Sequence, residues 1–91
     1  MSFTPQLVSR RLRAAGHQLV YPDRRRDGVS VSRWSSDQVL IRIAFSEPRT
    51  DLCMIAAELI STCVTFDWYV HRIEMSPGRT YGTITIMKEE P

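Results

Sequence analysis

Leu52, Ile55, Ala56, Leu59, Ile60 and Cys63 recur at the i, i+3, i+4, i+7, i+8, i+11 spacing that stacks side chains on one face of an α-helix. The stretch from Ser46 to Val64 is therefore read as a helix, and the rest of the chain has to fold around it. Its N-cap is either Ser46, with Glu47 and Pro48 in the first turn, or Thr50, with Asp51. Asp51, Glu58, Ser61 and Thr62 form only a narrow polar strip, which Met54 interrupts. An apolar arc this wide exceeds what packing on one sheet requires. It predicts that the flank around Cys53, Ala57 and Ile60 meets a second helix.

That second helix is expected near the start of the chain. Thr4 and Pro5 are an N-cap and a first-turn residue, and Phe3 and Val8 have the spacing of a hydrophobic staple. Val8, Leu12 and Ala15 form the buried face with Leu7 at its margin, and Gly16 stands where a left-handed residue ends a helix. His17 to Tyr21 reads as a short strand stopped by Pro22, followed by a polar loop to Gly28. Beyond the loop the hydrophobic period falls to two. Val29 and Val31 alternate with Ser30 and Ser32, Ser35-Ser36-Asp37 turns the chain, and Val39, Ile41, Ile43 and Phe45 alternate with Leu40, Arg42 and Ala44.

A second hairpin follows the central helix, Thr65 to Met75 and Tyr81 to Lys88, joined by Ser76-Pro77-Gly78-Arg79 as a type II turn. Ile84 and Ile86 face the core. Phe66, Trp68 and Val70 share one parity while Ile73 and Met75 share the other, which predicts a bulge near His71-Arg72. The order helix, (strand), strand, strand, helix, strand, strand describes one α+β domain over residues 1–91. It is expected to be an antiparallel sheet of four to five strands with both helices packed on one face.

No run of about eighteen apolar residues is present to span a membrane, and no apolar secretory stretch opens the chain, so a cytoplasmic protein is expected. Cys53 and Cys63 fit a reducing compartment. Ten residues of helix separate them by roughly 15 Å, beyond the ~7 Å Cα limit for a disulfide, and both read as buried free thiols. Charge is distributed unevenly. Met1 to Arg33 holds seven arginines against Asp23 and Asp27, whereas the remainder is acidic.

Three chemistries compete for this sequence. Catalysis is the weakest, because there is no phosphate-binding glycine loop, no nucleophile elbow and no C-x-x-C, and two histidines and two cysteines are too sparse for a zinc site. Asp67, Tyr69 and His71 share parity on one strand, but no nucleophile accompanies them. No enzyme activity, cofactor or metal is expected. Arg24, Arg25 and Arg26 form the second candidate, a basic loop able to neutralise phosphates and so to bind nucleic acid, although Asp23 and Asp27 offset part of its charge.

The third is the sheet face turned away from the helices. It is predicted to carry Trp34, Leu40, Arg42 and Tyr81, with Tyr69 and His71 if the bulge lies beyond them. Tryptophan, tyrosine and arginine are enriched at protein-binding hot spots, and so much apolar surface on a small domain points to a protein partner or a homodimer. The progression LRAAG, a basic loop ending Asp-Gly, V-S-V and then VLIRIAFSE resembles small orphan proteins encoded by phages of actinobacteria, over Arg10 to Cys63. The resemblance implies no site residues. It implies an accessory phage protein that binds and modulates a host protein in the host cytoplasm.

Overall fold

In the computed structural model residues 3–21 and 27–90 are described. They form helix α1 (Pro5–Ala14), strands β1 (Gly28–Arg33) and β2 (Gln38–Ala44), helix α2 (Leu52–Thr65), and strands β3 (Tyr69–Met75) and β4 (Tyr81–Met87). The four strands lie in the order β1-β2-β4-β3, with antiparallel neighbours throughout. β4 is thus inserted between β2 and β3, and α2 makes the crossover that joins those two. This is the expected α+β class with two helices on one face. The fifth strand does not form: Leu19 makes only an isolated parallel bridge to Val29. Among the described residues no helix is long and apolar enough to cross a membrane.

The alternating valines and isoleucines explain the layering. Val29, Val31, Val39, Ile41, Ile43, Ile84 and Ile86 pair across the strands on one face and are buried. Val8 and Leu12 of α1 and Leu52, Ala56, Leu59 and Cys63 of α2 close that face from above. α1 lies over β1 and β2, and α2 over β4 and β3. Phe3 and Trp68 meet edge to face at 5.5 Å and seal the end of this layer.

Both helices begin and end through local chemistry. Thr4 caps α1 by accepting the Leu7 N–H at 3.1 Å. α1 ends as a Schellman motif at Gly16, whose φ is 99°: His17 N–H donates to the Leu12 carbonyl and Gly16 N–H to that of Arg13. α2 ends in the same way, Trp68 N–H donating to Cys63 and Asp67 N–H to Val64, but its left-handed residue is Asp67 at φ 60°. Phe66 and Trp68 are therefore capping residues and not part of a strand. Asp67 is removed from the set with Tyr69 and His71.

α2 starts at Leu52, later than either expected cap. Asp51 occupies the N-cap position without a side-chain capping bond, because its carboxylate is held by Arg49 at 2.7 and 2.8 Å. That guanidinium lowers the Asp51 pKa, and the carboxylate raises that of Arg49. Ser46 instead donates its backbone N–H and hydroxyl to Asp27, across from the start of β1. The Ser76–Arg79 turn closes through Arg79 N–H to the Ser76 carbonyl at 3.3 Å. Its left-handed residue is Arg79, φ 59°, and not Gly78, so the turn is not type II.

The relation between the helices departs most from expectation. α1 and the residues that follow it approach α2 on the flank carrying Thr62 and Phe66. His17 Nε2 lies 2.7 Å from Thr62 Oγ1, and the Arg11 guanidinium sits 5.4 Å from the Phe66 ring. Since the Thr62 hydroxyl donates to the Glu58 carbonyl, His17 is the donor to Thr62. The flank expected to meet α1 points the other way, over β3, and Cys53 and Ala57 on it are exposed. Cys53 is therefore not a buried thiol. Ala15 is also exposed, beyond the buried face of α1.

Candidate protein-binding face

The open face of the sheet is built by the residues that alternate with the core. Across β1, β2, β4 and β3 the register brings Ser32, Leu40, Thr85 and Arg72 into one row, and Ser30, Arg42, Thr83 and Glu74 into the next. The β3 bulge falls between Val70 and Arg72, as the parity change predicts. Its effect is to keep Tyr69 on the open face, to leave His71 as the extra residue, and to return Arg72 and Glu74 to the open side.

Four of the six residues singled out for this face share one concavity, and Arg42 and Tyr69 each join it through a single neighbour, Tyr81 and His71. Trp34, Leu40, His71 and Tyr81 line one shallow concavity of about 210 Å³, together with Thr83, Thr85 and the Arg72–Glu74 pair. Trp34 extends from the first hairpin turn and is 62% exposed, and Tyr81 is 38% exposed. Arg42 lies 5.2 Å from the Tyr81 ring, a cation–π contact that holds both side chains on the surface. Tyr69 and His71 are neighbours at 6.3 Å between ring centroids. Thr85, at the centre of the face, is buried.

Arg72 and Glu74, bridged at 2.7 Å, were not anticipated here. The bulge was legible in the sequence, and carrying its parity reset two residues further would have placed them. Gln38 likewise reaches the concavity from the start of β2.

The basic loop of Arg24, Arg25 and Arg26 lies outside the described residues. Among the described residues, Arg10 and Arg13 of α1 line a groove of about 470 Å³ with Leu19, Val20 and Tyr21. Among the described residues no group of three or more His, Cys, Asp or Glu side chains converges. The geometry defines a two-layer α+β domain with a half-open antiparallel sheet. No protein-family model matches the chain, and no curated protein or solved structure does.

Proposed function

We propose that the protein is a non-enzymatic binding module that docks a protein partner on the open face of its sheet. The gathering of Trp34, Leu40, His71 and Tyr81 in one concavity supports this reading. Large aromatic side chains held by a rigid sheet lose little entropy on binding and shed much apolar area, which is how hot spots work. The Arg72–Glu74 pair and Arg42 supply a polar surround. Following the phage-protein resemblance, the partner is a cytoplasmic protein of a bacterial host, which the module modulates by occupying its surface.

The double variant Trp34→Ala/Tyr81→Ala tests this directly. Neither side chain is in the core, so circular dichroism and melting should match the wild type. A host protein retained by the wild type on an affinity column should be lost by the variant. Equal retention by the two overturns the reading. Trp34 also reports binding by fluorescence, because the other tryptophan, Trp68, is buried and reads only the fold.

The exposed arginines Arg10 and Arg13 along the α1 groove favour a second reading, nucleic-acid binding through Arg24, Arg25 and Arg26. Phosphate contacts make such binding fall steeply with salt. Retention on DNA or RNA at low salt that disappears when the three loop arginines become alanine supports it, and no retention at low salt ends it.

A further inference from the structure

The two edges of the sheet are treated differently. Beyond β1, Leu19 bridges to Val29 and Val20 donates its N–H to the Val29 carbonyl at 2.8 Å, so that edge is covered at its Val29 end. Beyond β3 nothing pairs among the described residues. Exposed edges invite another strand, and proteins usually blunt them with lysine, proline or a bulge. β3 has no lysine or proline, and its bulge lies before Arg72, leaving Arg72 to Met75 in regular register with β4.

We propose that this edge takes a second copy of the chain, β3 pairing antiparallel with its counterpart about a two-fold axis at Ile73. Charge carries the choice of occupant and of register. Arg72 and Glu74 flank Ile73 symmetrically, so pairing centred there puts each Arg72 opposite the second copy's Glu74. Opposite charges facing across a ladder are favourable and like charges are not. Centring the axis on Arg72 or on Glu74 opposes like charges at the centre. Ile73, 48% exposed in the single chain, meets its own counterpart.

The helical layer agrees. The flank of α2 that overhangs β3 carries Cys53, Ala57, Ile60 and Val64, with no charged side chain among them, and Val64 is 60% exposed. Two-fold pairing of the strands brings the two α2 flanks side by side, where alanine and cysteine let the backbones approach. Self-association buries this flank and the strand edge together. It also continues the sheet through both copies and places the two open faces on the same side, sharing Arg72 and Glu74 with the rim of the concavity described above and leaving Trp34 and Tyr81 outside the interface.

Analytical ultracentrifugation on the full chain tests the proposal. The wild type is expected at twice its 10.5 kDa mass. Arg72→Glu replaces one member of an exposed ion pair, so the fold should survive, but it sets acid against acid across the axis and should weaken the dimer at least tenfold. Arg72→Glu/Glu74→Arg restores opposite charges and should restore the dimer. Trp34→Ala/Tyr81→Ala should leave it unchanged, which separates this interface from the open face. A wild type that stays monomeric at every attainable concentration overturns the proposal. So does a dimer indifferent to Arg72→Glu, or one broken by the open-face variant.

Discussion

Gly16 and Asp67 hold the same position at the ends of two helices, yet only one of them is suited to it. A left-handed residue with a Cβ is strained by roughly 1–2 kcal/mol, and an acidic side chain at a helix C-terminus faces the negative end of the dipole. Asp67→Gly should therefore raise stability by about 0.5–1 kcal/mol in urea denaturation, while Gly16→Ala should lower it by about 1 kcal/mol. The two cysteines differ as sharply. Burial pushes the Cys63 thiol from 9.0 up to about 11. In the unfolded chain that thiol ionises near its ordinary value, so its contribution to stability is complete below about pH 9 and is lost as the pH rises toward 11. The urea midpoint of the wild type should fall over that window more steeply than that of Cys63→Ala. Under native conditions a thiol reagent should label Cys53 and spare Cys63.

At the scale of elements, α2 shows why periodicity names a buried face but not its neighbours. Leu59 is fully buried and Met54 is 65% exposed. Leu59→Ala should cost about 2–5 kcal/mol through lost burial and a cavity, whereas Met54→Ala should stay within about 0.5 kcal/mol, both read from denaturant melts. The wide apolar arc was legible in the sequence. Which side of it meets α1 was not, because that depends on the crossover that puts α2 over β3 and β4. The start of α2 was illegible for a related reason: Ser46 and Asp51 are both competent caps, and both spend their side chains on partners, Asp27 and Arg49, that a local pattern does not reveal. The Thr4 cap and the Gly16 stop were legible because every group they use lies within one or two turns.

Over the whole molecule, the β3 bulge couples local pattern to surface chemistry. One extra residue at His71 lets Ile73 and Met75 turn toward the helices and sends Arg72 and Glu74 to the open face. The period-two runs, the 3.6-period run and the turn residues were enough to determine the element order, the buried valine and isoleucine face, the bulge and the membership of Trp34, Leu40, Arg42 and Tyr81 in the opposite face. These all rest on interactions between near neighbours, or on the simple rule that alternate strand residues share a side. Strand order, the single-chain edge at β3, the exposure of the Cys53–Val64 flank and the union of His71 with Trp34 in one concavity were decided only by the tertiary structure. They depend on β4 entering between β2 and β3, a choice made by the sum of long-range burial rather than by any short stretch of the chain.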